Sequence, residues 1–285
     1  LISGNAYIEM GTFISILLGT IVGGVLILLD GGIYFVSGLL LLLSVTGFAS
    51  SRFIPKAKID SKNVKLNPNF IGETYSIVKT SSQNKDVFVS IVAISWFWFV
   101  GATFLAQFPN YVKNILHGTE GIVTLLLSTF SIGIAIGSML CNTLVKGKIT
   151  AKLSPFALLF MSLFCIDFYW VSQSIPMQIS GEFLNLNAFL SNISGFRIVA
   201  DLVFISIGGG VFIVPLYAIL QHKSEESLRA RMMASNNIIN ALFMVISAGG
   251  AAVLLANGFS VPDMFLGIGI MNVFVAFYIY KAKLI

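Results

Sequence analysis

Long apolar runs separated by short polar breaks dominate the chain. They cover roughly 6–29, 31–50, 87–109, 121–144, 154–173, 197–220, 232–256 and 261–280. Each approaches the ~20 residues a helix needs to cross a hydrocarbon core of ~30 Å. None alternates with the period of two expected of a barrel strand, and in lipid only helices and closed barrels satisfy their backbone groups. The pattern predicts an all-α integral membrane bundle of about eight spans.

Two weaker patterns lie between the runs. Residues 51–86 form a polar linker in which Asn67-Pro68 fits a helix cap and first position. Phe70, Ile71, Tyr75, Ile77 and Val78 follow at helical spacing, predicting a short amphipathic helix over 68–82 that lies along a membrane surface; a basic linker without structure is the other reading. The segment 174–196 carries Phe183, Leu184, Leu186, Phe189 and Leu190 in a similar arrangement on the opposite side. Asn192-Ile193-Ser194 matches a glycosylation acceptor triplet, a pattern too short to carry weight.

Charge orients the bundle. With the N-terminus inside, the inner segments hold Arg52, Lys56, Lys58, Lys62, Lys65, Lys79 and Lys85, then Lys146, Lys148 and Lys152, then Lys223, Arg229 and Arg231, and finally Lys281 and Lys283. Only Lys113 and Arg197 of the 17 basic residues fall elsewhere. The positive-inside rule therefore predicts cytoplasmic N- and C-termini. The formal charge of +5 is a topology signal with affinity for anionic membrane lipids, not for nucleic acid. Composition agrees, since 56% of residues are hydrophobic and only 10% charged, too few to cover a soluble domain.

Chemistry is sparse. Cys141 and Cys165 sit in apolar runs, and His117 and His222 fall in predicted loops, so neither a metal nor a cofactor is expected. No nucleophile–base pair and no phosphate-binding glycine loop is visible, so the chain alone does not read as an enzyme. The chain opens on Leu1, which predicts further sequence upstream. Gly19 and Gly23, Gly133 and Gly137, and Gly209 with Gly210 in a run of three give small-residue seams for close helix crossing, and Pro215 marks a kink.

Ionisable residues inside spans are costly and are functional candidates. Glu9 reads either as a snorkelling carboxylate or as a site residue, and Asp167 as interfacial or buried. Arg197 and Asp201, one helical turn apart, read as an edge ion pair or a gate. Trp98, Thr103 and Gln107 in the third span, with Asn236, Asn237 and Asn240 in the seventh, suit a cavity for a zwitterionic amphiphile; asparagines also serve as interhelical glue.

Several stretches resemble a known family. The segment from Gly137 to Lys146-Gly147-Lys148 resembles a degenerate copy of the Gly/basic loop motif of the major facilitator superfamily, with Asn142 near the place of its acidic residue. Asn5, Glu9 and Thr12 with ILLGTIVGGVL, SWFWFVGATFLAQFP at 95–109, and GGVFIVPLYAILQ at 209–221 leading to ASNN resemble the bacterial lysophospholipid transporter family. The resemblance implies the fifth to twelfth helices of a twelve-helix carrier. Residues 1–50 would be the last two helices of its N-terminal half, 51–86 its cytoplasmic central loop and 87–285 its six-helix C-terminal half. It further implies movement of lysophosphatidylethanolamine-like lipids across the bacterial inner membrane, with acylation left to an acyltransferase or acyl-ACP synthetase, fused or separate. The chain departs from the family at Leu105 and its neighbours, where an arginine is expected, and at Asn240, where an acidic residue is expected. An ion-coupled exporter of small amphiphiles, a membrane anchor for an acyltransferase system and a decayed remnant are the competing readings.

Overall fold

The computed structural model describes residues 1–27, 29–54, 69–174 and 183–284. Among them lie ten helices: α1 (Ile2–Ile27), α2 (Gly32–Ser51), α3 (Phe70–Ser82), α4 (Lys85–Asn114), α5 (Glu120–Leu144), α6 (Ser154–Gln173), α7 (Leu186–Ser191), α8 (Ile193–Lys223), α9 (Arg229–Ala256) and α10 (Val261–Ala282). All but α3 and α7 are long and apolar enough to cross a membrane, which makes the chain an integral membrane protein of the expected all-α class. The only non-helical pairing among the described residues is an isolated bridge between Gly118 and Leu184, which ties the chain before α7 to the α4–α5 connection.

The chain divides into two compact units, Leu1–Ile14 with Asn69–Ile285, and Ser15–Pro68. The second unit holds the rest of α1, with Gly19 and Gly23, and all of α2. The turn between these helices places Gly31 at φ 72°, a left-handed conformation that glycine adopts without strain.

In the first unit, α8 is the axle. Successive residues on a helix point about 100° apart, so three adjacent glycines can serve three different neighbours. A Cβ on Gly208 would meet the Met161 side chain of α6 at 2.6 Å. One on Gly209 would meet the Phe97 ring of α4 at 3.3 Å, and one on Gly210 would strike the α5 backbone between Ile134 and Ser138. From the other side, Gly133 of α5 accommodates the Ser206 hydroxyl and Gly137 the Ile207 backbone. The α5–α8 crossing is therefore closed to any side chain at these positions. The helix runs on without a break through Pro215, and the stretch from Val211 to Leu216 is buried throughout.

Aromatic rings fill the space between α4, α5, α6 and α10. Phe104 stacks on Phe265 with centroids 4.1 Å apart, Phe130 and Phe108 close around them, and the Tyr111 hydroxyl meets Ser172 at 2.7 Å. Caps set the helix starts. Asn84 opens α4, Ser260 and Asp263 form a capping box on α10, and Asn192 of the acceptor-like triplet receives the Ser194 N–H at 2.8 Å to open α8.

The amphipathic helix begins at Phe70, capped by Asn69, whose side chain accepts from the Gly72 N–H at 2.9 Å. Asn67 and Pro68, expected to start it, lie outside the described residues, as do Lys56, Lys58, Lys62 and Lys65. The helix packs on α9 through a buried Ser81–Ser235 hydroxyl pair at 2.8 Å and an Arg231–Glu73 ion pair at 2.7 Å. Both ion-pair side chains are more than a third exposed, so the pair contributes under about 1 kcal/mol. Glu73→Gln should shift the thermal unfolding midpoint only slightly in low salt and not at all in high salt; a large, salt-independent loss would refute this.

Candidate functional site

A polar cluster sits inside the first unit where α1, α4, α8 and α9 meet. Its centre is the Tyr217 hydroxyl of α8, to which Trp98 of α4 donates from Nε1 at 3.1 Å. Asn236 and Asn240 of α9 also interact with that hydroxyl, and the Glu9 carboxyl of α1 lies within electrostatic reach of it. Asn240 in turn accepts from the Ser95 hydroxyl at 2.7 Å, joining α9 to α4. Helical periodicity explains the convergence. Asn236 and Asn240 are one turn apart on α9, and Ser95 and Trp98 are nearly one turn apart on α4.

The apolar frame holds these groups in place. Phe13, 1% exposed, stacks on the Trp98 ring at 6.2 Å and meets Phe97 edge-on at 5.8 Å. One turn before Glu9, Asn5 and Gln221 exchange amide hydrogen bonds of 3.0 and 3.3 Å, pinning α1 to the end of α8. Two acceptors in the cluster find no hydrogen-bond partner among the described residues although both are buried: Glu9 Oε2 and Asn236 Oδ1. The Asn236 amide nitrogen also donates to Oδ1 of its exposed neighbour Asn237, at 3.3 Å. A buried acceptor without a partner costs about 1–3 kcal/mol, so these two oxygens are the cluster's open acceptors.

The other sequence candidates fall into separate places. Thr103 pairs with Ser247 at 2.7 Å, further along the same α4–α9 interface. Gln107 is buried and accepts from Asn110 at 2.9 Å on its own helix, outside the Tyr217 cluster. Arg197 makes a two-pronged contact with Asp167 across the α6–α8 interface, one bond of it 2.7 Å from Nε. Asp201 lies beside that pair, 3% exposed, with Oδ2 unpartnered among the described residues. The charged trio is thus an inter-helix ion pair with a buried acid at its side, remote in sequence and in neighbours from the Tyr217 cluster.

Sequence reasoning missed the cluster's centre. Tyr217 stands two residues after Pro215 and reads as one more aromatic in an apolar run, and only its contacts reveal its role. Asn272 was missed as well; it accepts from the Trp96 indole at 2.7 Å and is fully buried in α10. Its signal was present, since a lone amide in the middle of a membrane span is costly unless partnered. Among the described residues no three His, Cys, Asp or Glu side chains come together as a ligand set for a metal.

A family profile for the Major Facilitator Superfamily matches residues 2–248. The lysophospholipid transporter LplT of Yersinia pestis (strain Pestoides F) and that of Yersinia pseudotuberculosis serotype O:3 (strain YPIII) are each 25% identical to the chain over 232 residues. The match takes in 81% of this chain and 51% of each relative, so the chain spans about half the length of the curated relatives it matches. No solved structure matches it.

Proposed function

The chain belongs to the major facilitator superfamily, and from that premise we propose that it carries a lysophospholipid of the lysophosphatidylethanolamine kind across the bacterial inner membrane by alternating access. The observation that carries this reading is the Tyr217 cluster. It is a compact polar site walled by aromatic rings inside a bundle whose surroundings are lipid, with unpartnered acceptors at Glu9 and Asn236. An ammonium-bearing head group supplies donors to those acceptors, while its hydrocarbon tail requires none. The relatives named as lysophospholipid transporters support the same substrate class. In members of this superfamily two halves rock about a site near the bilayer midplane, and the small-residue α5–α8 seam would keep this unit rigid as it moves. The Lys/Arg-rich segments after α2, α5 and α8, with Lys281 and Lys283, support cytoplasmic termini, and reacylation of the delivered lipid would there fall to an acyltransferase or acyl-ACP synthetase.

The test is direct. The chain is reconstituted into vesicles and labelled lysophosphatidylethanolamine is added outside. The label should become protected from extraction by albumin faster than in protein-free vesicles; equal rates overturn the proposal. A second reading, an ion-coupled exporter of small amphiphiles, is favoured by the unpartnered Glu9 oxygen alone. It requires amphiphile efflux that follows a proton or sodium gradient and that loses this dependence in Glu9→Gln.

A further inference from the structure

The buried stripe of α9 changes character along its length. Ser235, Asn236 and Asn240 occupy its N-terminal part and Ser247 and Ala251 its C-terminal part, all facing inward. Asn240 and Ala251 are eleven residues apart, about 16 Å along the axis at 1.5 Å per residue. The polar end is the Tyr217 cluster. Beside the other end lies a cavity of about 350 Å3 between α4, α9 and α10.

Most polar side chains around that cavity already have a partner. The Thr103 and Ser247 hydroxyls bond to each other, Asp263 is held by Ser260, and the Trp96 indole N–H is held by Asn272. A water molecule needs two to four polar partners, so nothing here recommends water as the occupant. The remaining wall is hydrocarbon and aromatic: Trp96 stacked on Phe99 with centroids 5.0 Å apart, then Leu254, Met264 and Met271. Gly250 and Gly267 face each other's helices across it, and a Cβ on either would meet nothing within 4 Å. The glycines here do not permit helix contact; they leave room.

We propose that this cavity is the acyl-chain site: it takes the single hydrocarbon tail of an amphiphile whose head group sits at the Tyr217 cluster, the molecule lying along α9 with its tail toward the α9–α10 turn. The assignment rests on the lysophospholipid reading above and deepens it. A cavity of this size admits one flexible chain but no peptide helix, and its wall runs from Trp96 and Thr103 to Phe259 and Asp263 at the α9–α10 turn. Methionines at two wall positions suit a flexible chain of variable length, because thioether side chains repack readily. The pocket then measures the tail while the polar cluster reads the head.

The experiment separates this site from transport. The chain in vesicles is irradiated with lysophosphatidylethanolamine bearing a photoreactive group at the end of its acyl chain. Labelling should concentrate on peptides holding Gly250 and Met264–Met271, and Gly250→Leu or Gly267→Leu should weaken that labelling about tenfold, an effect of the size expected when a cavity is filled. The same photoreactive group on a two-chain phosphatidylethanolamine should label these peptides far less. Uniform labelling of all lipid-facing helices by both probes would overturn the pocket. Should either leucine variant fail to fold, Gly250→Ala supplies the milder filling and should favour short-chain over long-chain probes; an unchanged chain-length preference also overturns it. Labelling without lipid movement would leave the pocket standing and refute the carrier, whereas movement without labelling would do the reverse.

Discussion

Replacing Gly137 by alanine should destabilise this protein strongly, although the change adds a single methyl group. The added Cβ strikes the Ile207 backbone of α8, and backbone in a packed helix cannot rotate away as a side chain can. Overpacking of a core costs about 1–3 kcal/mol and more where nothing yields, which outweighs the gain of about 0.5–1 kcal/mol that alanine brings over glycine in a helix. The same substitution at Gly249 meets nothing within 4 Å and should keep only the gain. Thermal unfolding of purified protein in detergent should therefore show midpoints displaced in opposite directions. A drop at both positions, or at neither, would refute the idea that α5 and α8 touch through their backbones. Because α8 also presents Gly208 to α6 and Gly209 to α4, loosening the α5 contact should propagate to the helix that carries Tyr217.

Tyr217→Phe is the second large effect, and it falls on activity. The change keeps the ring and removes one oxygen, leaving the Trp98 indole N–H without its acceptor and Asn236 and Asn240 without a shared neighbour. Unmade hydrogen bonds in a closed site cost about 1–3 kcal/mol, which corresponds to roughly a tenfold to hundredfold loss in lysolipid uptake. Stability should fall far less, since interhelical hydrogen bonds in membranes average about 0.6 kcal/mol. Uptake normalised to folded protein separates the two: a purely structural Tyr217 would lower both together.

Much of the architecture was legible before any coordinates. The span read at 154–173 forms over those same residues, and that read at 261–280 extends only to Ala282. At one span a proline is responsible for the shortfall. The third apolar run seemed to end at Pro109, yet α4 continues to Asn114 and buries Tyr111 and Val112 on the way. Proline removes one helical hydrogen bond, and neighbouring helices in a membrane bundle sustain the helix past it.

The site was legible only in part. Glu9, Trp98, Asn236 and Asn240 stood out as polar or amphipathic residues in apolar surroundings, because the cost of burying such groups is visible one residue at a time. Which of them meet was not visible. Thr103 and Gln107 share a helix with Trp98 but lie elsewhere along it, and Arg197 pairs with Asp167 thirty residues away, not with Asp201 one turn on. The glycines make the same point. The pair Gly133 and Gly137 and the pair Gly249 and Gly250 look alike in the chain, yet one closes a helix crossing and the other faces open space. The thickness of a bilayer acts on every segment separately, so span length, helical class and the places where charge is tolerated are written locally in the order of residues. Pairing depends on how far each helix rotates and slides against its neighbours, a balance of contacts among segments distant in sequence, and it is that balance which makes Tyr217 the centre of a polar cluster.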